Sequence, residues 1–310
     1  MGENRHSSCL VALAGALALC AAFCAGLSFG GPGSAQAQSA PAAVDVALVL
    51  AVDVSRSMAV DELLIQRKGY AAAIADPAVL QAIGYGAHGR IAVSFLEWAG
   101  QGHSQLVLDW TVIETREDAE AVAAHLLAGR SLGASRTSIS GAIRSASALF
   151  ERLSFDAERR VIDISGDGPN NEGLPVVAAR DAAVEQGIVI NGLPLMTRGG
   201  AYSGFSIDGL DRYYQACVVG GPTSFVVPVW DWAEFPEAVR RKLVMEIGGV
   251  APGHGPGPSS DPDPAAPYFA DQGASGKRAL PVQFRPAEPY DCLIGEKLWE
   301  QRRRNFDFDR

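Results

Sequence analysis

The sequence predicts an α/β protein: a doubly wound, mostly parallel six-stranded sheet with one antiparallel edge strand. Three observations carry this prediction. Short apolar runs alternate with longer segments of helical period, the pattern of a sheet wrapped by helices. The link after Trp98 is too short to hold a crossover helix, so the second and third strands form a hairpin and the third runs antiparallel at an edge. A length of 310 residues with 48% hydrophobic content suits one ordinary globular domain plus appendages.

The first strand, Val44 to Val52 within DVALVLAVDVSRSM, is greasy enough to be buried on both faces and then ends abruptly in Asp53. A helix follows from Val60 to Ile74, then strands Arg90 to Trp98 and Gln105 to Trp110. The helix Thr115 to Leu127 opens on a capping-box pattern, Thr115 with Asp118. Helix Ser138 to Leu153 leads to strand Arg160 to Ser165, and helix Leu174 to Gln186 to strand Ile188 to Leu193. Helix Ile207 to Cys217, strand Ser224 to Val229 and helix Ala233 to Ile247 complete the predicted domain, residues 38–250. Residues 251–289, beginning APGHGPGPSSDPDPAAP, have the composition of a linker, and residues 290–310 suit a short C-terminal helix or tail.

Residues 1–37 read as an export signal: a polar start, an apolar stretch from Cys9 to Phe29, a Gly/Pro/Ser break and Ala35-Gln36-Ala37 as the cleavage signal. The alternative is an uncleaved membrane anchor, since the apolar run is long enough to span a bilayer. The expected location is therefore periplasmic or secreted, with no membrane span after cleavage. Cleavage leaves Cys217 and Cys292 as an even pair in an oxidising compartment, so a disulfide is expected; two unrelated thiols are the alternative. The formal charge of −9 argues against nucleic acid or anionic lipid as the main partner.

In an open parallel sheet, functional groups gather where loops converge beyond the carboxyl ends of the strands. There the first strand delivers Asp53, Ser55 and Ser57 by alternation, and the fourth, ending VIDISGDGPNN, delivers Asp167. The loop GASRTSISGAI hangs over the same crevice and offers Thr137. Five oxygen donors without nitrogen or sulfur describe a hard divalent cation, Mg2+ ahead of Mn2+ and Ca2+. The bland reading is that these side chains merely cap turns and helix starts. Arg56, Glu97, Trp98, Asn170 and Asn191 are candidates for a partner-binding rim; the alternative is a simply solvated side chain for Arg56 and loop packing for the others.

Asp53-x-Ser55-x-Ser57 after a buried strand, Thr137 in TSISGAI and Asp167 in SGDG resemble the metal-ion-dependent adhesion site of von Willebrand factor type A domains. FLEWAG, RRVIDISGDGPNN, INGLPL and RYYQACVVGGPTSFVVPV further resemble a bacterial exported family of such domains whose function is unknown. The resemblance implies a Rossmann-like fold in which Ser55, Ser57 and Thr137 touch the ion through hydroxyls while Asp53 and Asp167 act directly or through water. It also implies that an acidic residue of a protein partner, or a bound anion, completes the coordination. Arg56 stands where the family pattern usually has glycine, and Arg136 precedes Thr137.

Other motifs fail on context. Gly84 to Gly89 spells G-x-G-x-x-G but precedes a strand and opens no helix. Asp163-x-Ser165-x-Asp167-Gly168 imitates a calcium loop, yet Leu174 occupies the position that needs a bidentate Glu. There is no G-x-S-x-G elbow, and His88, His103, His125 and His254 lack metal-ligand spacing. The expected function is a non-enzymatic, exported binding module; the alternative is a phosphatase-like hydrolase using the same metal site.

Overall fold

The computed structural model describes residues 43–197, 207–249, 280–281 and 290–308. The expected export signal and nearly all of the expected linker lie outside the described residues.

The first strand, β1 (Val44–Asp53), is buried along its whole length because it has a core on each side. Val46, Leu48, Leu50 and Val52 pack into one apolar cluster, while Ala47, Val49 and Ala51 pack into the other. This is the two-faced burial that a central parallel strand requires. After β1 come α1 (Val60–Ile74) and α2 (Pro77–Gly84), then the hairpin of β2 (Ile91–Trp98) and β3 (Ser104–Ile113). Sequence reading missed α2, although Asp76 caps it by accepting from the Ala78 amide at 2.8 Å and Pro77 occupies its first turn.

The chain continues through α3 (Arg116–Ala128), α4 (Ile139–Phe150), β4 (Ala157–Gly166), α5 (Val176–Glu185) and β5 (Ile188–Pro194). The Thr115–Asp118 capping box starts α3. Next come α6 (Leu210–Tyr213), which runs into a π-helical turn at Tyr214–Val218, and β6 (Phe225–Val226). A 3₁₀ turn (Trp232–Glu234) leads into α7 (Phe235–Gly248), and the described chain ends with β7 (Leu280–Pro281) and α8 (Ile294–Phe308).

The sheet order is β3-β2-β1-β4-β5-β6-β7. The six predicted strands form the expected mixed sheet, parallel apart from β3 on its edge. A two-residue β7, inside the segment expected to be linker, pairs antiparallel with β6 at the opposite edge. Pro281 is tolerated there because an edge strand does not need every amide.

From β1 the chain first builds outward through β2 and β3, then returns to lay β4 along the other side of β1. The strand order therefore reverses between β1 and β4. A crevice opens beyond their carboxyl ends, at Asp53 and Gly166. Helices α1, α2, α3 and α7 cover one face, and α4, α5 and α6 cover the other. No helix among the described residues is long and apolar enough to cross a membrane.

Candidate metal centre

Three loops meet at this crevice and are fastened to one another through the backbone. The Arg56 amide donates to the Ala134 carbonyl at 2.8 Å, and the Ala134 amide donates to Val54 at 3.1 Å, which ties the β1 loop to the loop before α4. That loop is tied in turn to the one after β4. The Asn171 amide donates to the Thr137 carbonyl at 2.9 Å, and the Thr137 amide donates to Asn171 Oδ1 at 3.0 Å. With the backbones held, the side chains have little freedom to diverge.

The Ser55 amide donates to Asp53 Oδ1 at 2.6 Å. Ser57 donates its hydroxyl proton to Asp167 Oδ1 at 2.7 Å, and the Ser55 and Ser57 hydroxyl oxygens lie 2.8 Å apart. A serine has one proton to give, so Ser55 is the donor in the second bond and the chain runs Ser55 to Ser57 to Asp167. Thr137 lines the same cavity as Ser55 and Ser57. The structure thus brings all five predicted ligands to one end of β1 and β4.

Their electrostatics are those of an uncompensated acidic site. Asp53 is fully buried, and its Oδ2 accepts no hydrogen bond from any described residue. Burial first, and then the charge of Asp167, push its carboxyl well above the ordinary carboxylate range. Burial also raises Asp167 to about 6; the proton donated by Ser57 opposes the rise and the charge of Glu62 adds to it. Tyr214 is pushed up by burial and by Asp53. A β-carbon at Gly166 would lie 2.8 Å from the Tyr214 hydroxyl and 3.0 Å from Asp53 Oδ2. Only glycine lets β4 end this close to both groups.

A fully buried carboxylate with an orphaned oxygen, a second, partly buried one that repels it, and three hydroxyls fit a hard divalent cation. Among the described residues no cluster of three or more His, Cys, Asp or Glu forms a metal site, and this set reaches five donors only through its hydroxyls.

The rim predicted from sequence needs correction. Arg56 is exposed and lines the cavity. Glu97 is instead buried in an ion pair with Arg67 at 2.8 Å and accepts from Ser131. Trp98 is buried in the core formed with α4. Asn191 is buried, donating to Glu246 at 2.9 Å and accepting from the Phe225 amide at 3.1 Å. Asn170 is buried as well, accepting from the Ser140 amide and donating to Glu296 Oε1 at 2.7 Å. Glu97, Trp98 and Asn170 lie at a strand end or in the adjoining loop, as predicted, whereas Asn191 lies in the middle of β5, opposite Asp163; all four side chains point into packed neighbours.

The Asn170–Glu296 bond belongs to an element whose position the sequence left open. A disulfide joins Cys217 to Cys292 just before α8. Gly295 packs directly on the Asn170 carbonyl, where a β-carbon would clash at 2.0 Å. One turn further along α8, the Trp299 ring lies under the Arg136 guanidinium, whose carbon is 3.5 Å from the ring centroid. Trp299 and Arg136, with Arg56, Ser55, Ser57 and Thr137, line a cavity of about 300 Å³. The one sequence signal for Trp299 is a large aromatic in the middle of a helix rich in charged residues.

The family described as "Protein of unknown function (DUF1194)" matches residues 43–251. The chain belongs to that family. Within DUF1194 this match takes in every candidate ligand and stops short of α8. No curated protein matches the chain. Among solved structures it is similar to the pilus adhesin SpaC from Lactobacillus rhamnosus GG, at 12% identity and a TM-score of 0.47, covering 66% of this chain and 31% of that one. A von Willebrand factor type A protein from Catenulispora acidiphila is similar at 14% identity and a TM-score of 0.44, covering 66% and 43%. Proximal thread matrix protein 1 from the mussel byssus, in a form with a zinc-occupied MIDAS motif, is similar at 13% identity and a TM-score of 0.46, covering 67% and 48%. The chain thus spans less than half of each of these three.

Proposed function

We propose that the protein is an exported binding module in which Asp53, Ser55, Ser57, Thr137 and Asp167 hold a divalent cation, Mg2+ ahead of Mn2+ and Ca2+, that grips an acidic group of a protein partner. The observation that carries this reading is the fully buried Asp53, with its unpartnered Oδ2, next to the Ser55–Ser57–Asp167 chain. Three of the five donors are neutral hydroxyls, so a bound ion would keep much of its charge for an incoming carboxylate. The Cys217–Cys292 disulfide supports an oxidising, exported setting.

Calorimetric titration of Mg2+ and Mn2+ into the protein tests the reading. Saturable binding is expected for the native chain, with its loss in Asp53→Ala. Silent titrations with both ions would remove it.

A further inference from the structure

We propose that the cavity above the metal residues is a two-ended anion site, completed by α8, that selects ligands carrying two carboxylates over ligands carrying one. At its metal end the inference rests on the function proposed above. Its other end rests on Arg56, Arg136 and Trp299.

The charge balance is the first argument. In a chain of formal charge −9, two arginines line one small cavity, and neither pairs with a carboxylate among the described residues. Arginines beside buried acids usually neutralise them, as Arg67 does for Glu97 here. Arg56 and Arg136 border the cavity that the acidic end opens into, without such a bond.

Backbone strain is the second argument. Arg136 holds φ at +74°, a region that costs a residue with a β-carbon roughly 1 kcal/mol or more and that glycine occupies freely. A turn alone would favour glycine at this position. The arginine that stands there instead has its guanidinium over the Trp299 ring. Stacking engages the face of a guanidinium and leaves its N–H edges to donate, the geometry that recognises carboxylates.

Trp299 itself is held in place from the metal side. Its helix is pinned by the Cys217–Cys292 disulfide and by the bond from Asn170 to Glu296, while Asn171, next in sequence, fastens Thr137. The wall carrying the arginine platform and the loop carrying a metal ligand therefore share one support.

A volume of about 300 Å³ is at the small end for ligand sites and accommodates a short dicarboxylate. Two sources supply that chemistry: a free dicarboxylate, or a peptide whose C-terminal residue is Asp or Glu, so that side chain and chain terminus present two carboxylates together.

The experiment is calorimetric titration at saturating Mg2+ with acetate, malonate, succinate, glutarate, and acetyl-Ala-Asp with a free or amidated terminus. At least one dicarboxylate is expected to bind about tenfold or more tighter than acetate, the scale of one added charge-assisted contact. A similar gap between free and amidated peptide would assign the peptide source; a gap confined to the small acids would assign the free one. Arg136→Gln, Arg56→Gln and Trp299→Leu should each shrink the preference. Mg2+ affinity should be retained or tightened in the arginine variants, since a nearby positive charge is removed; that binding also reports that the variants are folded. Equal affinity for acetate and every two-carboxylate ligand overturns the inference, as does a preference that survives Arg56→Gln/Arg136→Gln. If Mg2+ binds but no preference appears, the metal reading stands and this one falls. If Mg2+ does not bind, both fall.

Discussion

The molecule holds two close pairs of carboxylates, one sealed in the core and one at the crevice with only Asp53 fully buried, and it treats them oppositely. Under α7, Asp163 and Glu246 lie around the Lys242 ammonium, 2.7 Å from Asp163 and also paired with Glu246, and all three side chains are excluded from solvent. Asn191 adds a hydrogen bond to Glu246. At the crevice, Asp53 accepts from the Ser55 amide and Asp167 from the Ser57 hydroxyl, and among the described residues no cation pairs with either. The first cluster carries its own positive charge and is closed. The second opens through Ser55 and Ser57 into a cavity. The two pairs thus differ in whether the chain supplies the counter-charge and in whether they are sealed from solvent.

The largest effect should come from removing that counter-charge. Lys242→Met strands two buried carboxylates and should cost about 3–5 kcal/mol in urea-induced unfolding. The crevice should behave in the other direction. Mg2+ at a hundredfold excess over its dissociation constant should stabilise the native chain by about 2.7 kcal/mol, and this gain should vanish in Asp53→Asn. Without metal, Asp53→Asn should be neutral or raise stability by about 1 kcal/mol, because it removes a buried charge that repels Asp167. A large loss of stability in Asp53→Asn under EDTA would mean that the two clusters are of one structural kind, and the contrast would collapse.

How much of this was legible beforehand follows the range of the interactions. The two-faced burial of β1, its end at Asp53 and the hairpin after Trp98 are local patterns, and the three loops converge because strand order follows from connection length. The wrong rim assignments share one cause. Whether the Glu97 side chain faces solvent or Arg67 depends on how α1 lies across the sheet, and nothing near Glu97 in the sequence encodes that. Asn191 likewise meets Glu246 only because α7 packs on that face. The Cys217–Cys292 disulfide was legible as an even cysteine pair, but Trp299 was out of reach, because where its ring lies also depends on a Glu296–Asn170 bond between distant segments. Where a group's role is set by neighbours in its own loop, pattern was enough; where it is set by helix docking, the structure was needed.

The smallest effect is also the one that compares the two clusters in a single measurement. Burial raises Glu246 to about 7 from its ordinary 4.5, with the charge of Asp163 adding to the rise and Lys242 and Asn191 opposing it. Tyr70 and Arg159 also feel its charge. A carboxyl whose folded pKa is raised binds its proton more tightly when folded, so its contribution is fully present below about pH 4.5 and is lost as pH rises through about 7. Asp167, raised to about 6, has the same sign. Stability under EDTA should therefore fall between pH 5 and 7, by at most about 1.4 kcal/mol per pH unit for each proton involved. Glu246→Gln should remove the α7 share of that slope and leave the crevice share. Saturating Mg2+ should do the reverse, because an ion held by Asp53 and Asp167 displaces their protons before the pH does. If Mg2+ flattened the whole slope in the native chain, Glu246 would not be titrating in this range, and the closed cluster would be fully compensated by Lys242 alone.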